Sequence, residues 1–229
     1  DKVIECYNEA LDALLKCHTS NPDHPDIVGI YNGLGQAYLD RGEYIKAIGY
    51  YNKALDIGLK CYASNPDHPD IASIYNSLGQ AYGNRGEYIN ANEYYIKALD
   101  ILLRYHASNS DHPDIATTYK HLGDVYHAKG ESDRAVGYYN KALDIGLKCY
   151  ASNPDHPDIA SIYNSLGGVY HSKGESDRAI KYYNKALHIL QHESFKLNSN
   201  DLGIGVIYNN LGVEYGIKGE YDKAIYYIN

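Results

Sequence analysis

Methionine and tryptophan are absent from the 229 residues, and phenylalanine occurs once, at Phe195. The lack of any Met predicts that position 1 is not a natural start and that this sequence is part of a longer chain. No apolar run approaches the roughly 18 residues that a membrane span needs, and no secretory signal pattern opens the sequence. Basic charge is in deficit: 21 Lys and Arg stand against 29 Asp and Glu, for a net charge of −8. The carboxylates are spread along the chain, so the basic stripe that a nucleic-acid footprint needs is missing. The charge speaks to solubility more than to a partner. There is no Gly-rich phosphate loop, no nucleophile elbow and no zinc-type Cys/His spacing. These gaps point away from an enzyme, from membrane insertion and from nucleic acid, with no cofactor and no metal expected.

Cysteine is scarce too, at Cys6, Cys17, Cys61 and Cys149. The last three hold one place in an internal repeat, so their spacing follows the stacking distance of helices, roughly 10 Å. That exceeds the ~7 Å Cα limit of a disulfide. Free thiols in a reducing, cytoplasmic location are the expectation.

What the sequence does have is periodicity. Lys53-Ala54-Leu55 recurs every 44 residues as Lys97-Ala98-Leu99, Lys141-Ala142-Leu143 and Lys185-Ala186-Leu187. The 31 residues from Gly49 to Gly79 are identical to those from Gly137 to Gly167. A fixed period of a few tens of residues marks a solenoid, in which each unit packs on its neighbours. Within one unit, Asp23-His24-Pro25-Asp26 reads as a helix start, with an Asp cap and Pro in the first turn. Ile27, Tyr31, Leu34 and Tyr38 then form a helical stripe, and Arg41-Gly42 ends it. A second helix carries Tyr44, Ala47, Ile48, Tyr51, Leu55, Leu59 and Tyr62, and Asn65-Pro66 breaks it. A helical Gly recurs at Gly35, Gly79, Gly123, Gly167 and Gly212 at a cost of about 1 kcal/mol each relative to Ala. That predicts a close helix–helix approach in which the partner backbone comes in against the Gly. The expected fold class is all-α, a right-handed superhelical solenoid of antiparallel helix pairs. It forms a single solenoid over 1–229, with a partial unit 1–20, full units 21–64, 65–108, 109–152 and 153–198, and a partial unit 199–229.

The pattern Tyr31…Leu34-Gly35…Tyr38…Gly42…Tyr44…Ala47…Tyr51…Ala54, recurring four more times with small changes, resembles the tetratricopeptide repeat family. The long unit with a His-Pro-Asp start and a Tyr-Asn-x-Leu-Gly core is most similar to the repeats of kinesin light chains. The resemblance implies that the first helix of each pair (A) faces a concave groove and the second (B) the convex side. It implies a protein–protein interaction scaffold, an adaptor holding an extended peptide or partner helix in that groove. A sensor or oligomerisation arm of a larger signalling protein, with its effector domain outside this sequence, is the alternative. By register, the groove candidates are Asn32, Gln36, Ser73, Asn76, Gln80, Thr117, Lys120, Asp124, His127, Ser161, Asn164, His171 and Asn209. An Asn carboxamide offers two donors and two acceptor lone pairs, so a ladder of them suits a peptide main chain. The family's clamp for acidic tails is disfavoured, because Lys120 alone is basic on this stripe. Arg41, Arg85, Lys129, Lys173 and Lys218 fall at A-helix ends, where cations suit the dipole.

His24, His68, His112 and His156 all precede Pro and read as turn residues. His121, His127 and His171 gather toward the middle units and would make a groove pH-sensitive. Tyr is abundant, with 27 residues. In the pairs Tyr50-Tyr51, Tyr94-Tyr95, Tyr138-Tyr139 and Tyr182-Tyr183 the second ring is expected inside and the first toward the helix B surface. Self-association through uncapped ends is also expected. The repeat departs from itself at Lys120-His121, Asp124 and His127 and again over Asp201–Gly205, which makes those segments the candidates for specificity.

Overall fold

The computed structural model describes residues 2–17, 23–197 and 202–228. Among these residues every regular element is an α-helix. They fall into two compact bodies, Asp1–Ser110 and Asp111–Asn229. The first holds α1 (Lys2–Cys17), α2 (Pro25–Asp40), α3 (Tyr44–Cys61), α4 (Pro69–Asn84) and α5 (Tyr88–Tyr105). The second holds α6 (Pro113–Ala128), α7 (Ser132–Cys149), α8 (Pro157–Ser172), α9 (Ser176–Leu197), α10 (Leu202–Ile217) and α11 (Tyr221–Ile228). In each body, helices adjacent in sequence pack as antiparallel A/B pairs. The expected all-α architecture of stacked helix pairs is therefore what each body shows. Asp201 lies outside the described residues.

The A helices α2, α4, α6 and α8 start in one way, and it differs from the expected Asp cap. His24 is the cap residue of α2, and its Nδ1 accepts the Asp26 amide N–H at 3.2 Å. His68, His112 and His156 do the same for α4, α6 and α8. Pro follows in the first turn, where a missing N–H costs nothing. Asp23 is drawn away by the far end of its own hairpin, where Lys60 Nζ lies 3.4 Å from its carboxylate and the Cys61 thiol donates to its carbonyl. Asp67 meets Arg104 and Asp111 meets Lys148 at the same 37-residue separation. The four cysteines are free.

The A-to-B turn is a Schellman cap. Gly42 has φ 73°, and the Glu43 N–H reaches back to the Tyr38 carbonyl at 2.9 Å. Gly86, Gly130, Gly174 and Gly219 repeat the positive φ. Of the glutamates that follow, Glu43, Glu131, Glu175 and Glu220 each pair with two cations, and Glu87 pairs with Arg85. Lys46 and Arg41 hold the Glu43 carboxyl below its usual range.

The helix–helix approach forced by the helical glycines differs from the sequence expectation. What enters is a ring, not backbone: Tyr51, Tyr95, Tyr139 and Tyr183 of the B helices lie over Gly35, Gly79, Gly123 and Gly167. In the α10/α11 pair Ile228 takes that place over Gly212. Ala47, Ala54, Ala91, Ala98, Ala135, Ala142, Ala179 and Ala186 beside these rings have no exposed surface. The first tyrosine of each pair, expected toward the helix B surface, packs on the A helix of its own pair. Tyr50 is half-buried, stacked on Tyr38 (5.3 Å, 4°) and tilted against Tyr31 (6.2 Å), while Lys53 lies over both Tyr31 and Tyr50. Tyr94, Tyr138, Tyr182 and Tyr227 repeat the arrangement. Leu59, expected on the packed side of α3, is 46% exposed.

Candidate functional site

The register candidates of the first body lie on the A helices α2 and α4. Gln36 is exposed and tied down, donating to Asp40 at 2.7 Å and accepting from the Tyr51 hydroxyl at 3.3 Å. Asn32 and Asn76 are half-buried, whereas Ser73 and Gln80 are exposed. The Asn32 carboxamide oxygen is buried and meets no donor. Asn32 and Ser73 share the wall of a pocket of about 670 Å³ formed by α1, α2, the α3 end and α4. Tyr7, Asp26, Tyr62 and Asp70 stand around it, with Val28, Ile30 and Ile74 as apolar wall. The Tyr62 hydroxyl donates to Asp70 at 2.6 Å, and its ring stacks on His68 at 3.7 Å. Burial and that hydrogen bond push the Tyr62 phenol up to about 12, so it remains a donor.

The second body carries a related pocket of about 210 Å³ between α6, the α7 end and α8. Tyr150, Asp158, Ser161 and Ile162 repeat Tyr62, Asp70, Ser73 and Ile74, all inside the 31-residue copy. Thr117 stands where Gly29 does, Lys120 where Asn32 does, and His121 where Gly33 does. Burial, with Lys120 beside it, pushes the His121 imidazole down to about 4, so the ring is neutral around pH 7. Lys120 bonds Asp124 at 3.1 Å, and Asp124 accepts the Tyr139 hydroxyl at 2.7 Å. Tyr139 is held protonated, well above its ordinary value, by burial and by Asp124.

One turn further along, His127 meets the Ser172 hydroxyl at 3.0 Å. Burial lowers the His127 imidazole, against the pull of Asp124 and with a contribution from His171. His171 pairs through Nδ1 with Glu214 of α10, a carboxylate 1% exposed whose second oxygen is buried without a donor. Asn164 accepts from the Asn210 amide at 3.1 Å. Asn209, Ser161 and Thr117 are exposed. The structure thus brings Lys120 and Asp124 together and binds Asn164 and His171 to α10. Gln36 is tied within its own pair.

Register reasoning missed Tyr7, Asp26, Tyr62 and Asp70, because they come from α1, two helix starts and a B-helix end. It also missed Glu214. Its signal was in the sequence, since the same register holds Ala37, Ala81, Val125 and Val169. Within either body, the described residues bring no three His, Cys, Asp or Glu ligand atoms within 4.8 Å of one another. No helix among the described residues is long and apolar enough to cross a membrane.

Sequence profiles of the tetratricopeptide repeat match residues 70–148, 28–58 and 160–189. A comparison with curated proteins finds no match. Among solved structures, BtubC (BKLC) from P. vanneervenii superposes with a TM-score of 0.77 at 24% identity, covering 99% of this chain and 87% of that one. A protein described as a kinesin light chain from Podosopora anserina, with nearly identical TPR-like repeats, gives 0.67 at 20%, covering 90% and 93%. A Rap protein complexed with competence and sporulation factor gives 0.69 at 19%, covering 87% of this chain and 51% of that one. At these identities the likeness is one of fold, a helical-repeat scaffold of the kind typical of protein–protein interaction.

Proposed function

The chain belongs to the tetratricopeptide repeat family, and on that premise we propose that it is a cytoplasmic adaptor that holds an extended peptide against the A helices of each body. The observation that carries this reading is the carboxamide series Asn32, Asn76 and Asn164 on α2, α4 and α8, all three half-buried and Asn32 on the wall of the first body's pocket. An amide on the A face bonds both N–H and C=O of a strand without reading its side chains. Ser73, Gln80, Thr117, Ser161 and Asn209 flank it with exposed polar groups, and Lys120, Asp124, His127 and His171 add charge and specificity in the second body.

The test is a display screen of peptides from a proteome, followed by affinity measurement with Asn76→Ala and Asn164→Ala. Each variant is expected to weaken selected peptides several-fold with the melting temperature unchanged. Full affinity in both, with the fold intact, would sink the ladder.

A regulatory reading, the sensor or oligomerisation arm of a larger signalling protein, is favoured by two observations. A Rap protein of similar fold has been solved with a bound factor. Here Val213, Ile217, Ile225 and Ile228 of α10 and α11 are 42–63% exposed, an apolar surface suited to self-association. A concentration-dependent sedimentation coefficient, lost on replacing Ile217 and Ile225 with Lys, is the result that reading expects.

A further inference from the structure

The 670 Å³ pocket of the first body has a mostly apolar wall, and its charged groups are all carboxylates. Two carboxylates, Asp26 and Asp70, stand at its mouth with 62% and 56% of their side chains exposed. Tyr62 already spends its proton on Asp70, which leaves the phenol oxygen as an acceptor and the ring as a face. Ser73 and Asn32 line the wall, and the Asn32 carboxamide oxygen is buried with no donor. No Lys or Arg is among the lining residues.

Acidic residues in a first helical turn also complement the helix dipole. Each helix start carries the equivalent of about half a positive charge, and each carboxylate a full negative one. Two starts and two carboxylates therefore leave the mouth net negative by about one charge. His24 and His68 do not restore the balance. Their Nδ1 atoms accept the Asp26 and Asp70 amide N–H groups, so those atoms offer no donor to an anion. Pro25 and Pro69 supply no N–H to an anion.

We propose that this pocket takes a cationic side chain, Arg or Lys, of the peptide held along α2 and α4. Its ammonium or guanidinium group lies between Asp26 and Asp70, and its aliphatic stem packs on Val28 and Ile74 beside the Tyr7 and Tyr62 rings. The inference rests on the groove reading above. The second body supplies an internal contrast: the same Tyr, Asp, Ser and Ile recur there, but Lys120 lines a pocket of about 210 Å³. Lys120, its ammonium bonded to Asp124, occupies that wall, and the volume falls below the roughly 300 Å³ at which ligand pockets begin. The two bodies thus offer the peptide different tastes, a basic side chain in the first and none in the second.

Two measurements separate this inference from the reading beneath it. N-acetyl-arginine amide, N-acetyl-leucine amide and N-acetyl-glutamate amide are titrated into labelled protein and followed by amide chemical shifts. The arginine compound is expected to move Gly29, Ser73 and their neighbours in saturable fashion, with nothing at Thr117 or Ser161. Asp26→Asn combined with Asp70→Asn should weaken it at least tenfold while the far-ultraviolet circular dichroism stays unchanged. Added salt should weaken it as well. Equal response to leucine, no response to arginine, or no effect of the double variant overturns the pocket, whatever the peptide screen returns. A screen that selects peptides without a basic position overturns it too but leaves the groove standing. An arginine response with no peptide selected keeps the pocket and removes the groove.

Discussion

Tyr95 fills the space over Gly79, where a Cβ would stand 2.7 Å from Tyr95 Cε1. The relation recurs at a 16-residue offset in each complete pair and joins every A helix to its B helix. Gly79→Ala gains about 1 kcal/mol of helix propensity, but crowding a buried ring costs about 1–3 kcal/mol. A net loss of up to about 2 kcal/mol is expected. Gly49→Ala, at a helical position with nothing within 4 Å, should instead stabilise by up to about 1 kcal/mol. Urea unfolding of the two variants reads the difference directly. Two losses of equal size would mean that the ring is not the constraint.

The histidine cap has two parts that substitution separates. His68→Ala removes both the cap and the Tyr62 stack and is expected to cost about 1–2 kcal/mol. His68→Asn restores an oxygen acceptor for the Asp70 amide but no ring, so it should fall between the wild type and the alanine variant. The midpoint of denaturant unfolding at constant m checks the order.

His121 makes stability depend on pH. Its imidazole titrates near 4 when folded because of burial and Lys120, against an ordinary value of 6.5. Below 6.5 the unfolded chain binds a proton that the folded chain refuses. This contribution is therefore complete above about pH 6.5 and is lost as pH falls toward 4, at up to about 1.4 kcal/mol per unit. His121→Ser, the residue at the equivalent positions Ser77 and Ser165, should flatten that slope between pH 4.5 and 6.5. Parallel slopes in variant and wild type would refute the assignment.

Glu214 is a buried carboxylate where the other pairs place Ala or Val. His171→Ala strands it and is expected to cost about 1–3 kcal/mol, discounted for the half-exposed imidazole. Glu214→Val replaces the pair by the residue of neighbouring repeats and should be neutral or stabilising. The double variant should match Glu214→Val alone. A double variant as unstable as His171→Ala would place the damage elsewhere.

Much of the fold was legible because each repeat restates the same local rules. Pro25, Gly42 and Pro66 mark where helices start and stop wherever they recur, and the Ile27/Tyr31/Leu34/Tyr38 stripe gives the buried face. The cap was misread as Asp23 because Asp is the stronger capping residue in isolation. Only the position of Lys60 and Cys61, 37 and 38 residues away, shows why it is engaged elsewhere. The candidate site was legible as a register and not as a cavity. Asn32, Ser73 and Ser161 were named, whereas Tyr7, Asp26, Tyr62 and Asp70 belong to other elements.

The sequence by itself determined the helices, their pairing and the repeated core, since these depend on spacing within some 20 residues. What only the tertiary structure decided is which exact copies differ in their surroundings. Asp70 and Asp158 lie in identical 31-residue segments. The wall opposite, Asn32 in one body and Lys120 in the other, is supplied by a different helix. A pocket's charge and volume are set by what faces it, and that is a property of packing across repeats rather than of the segment itself.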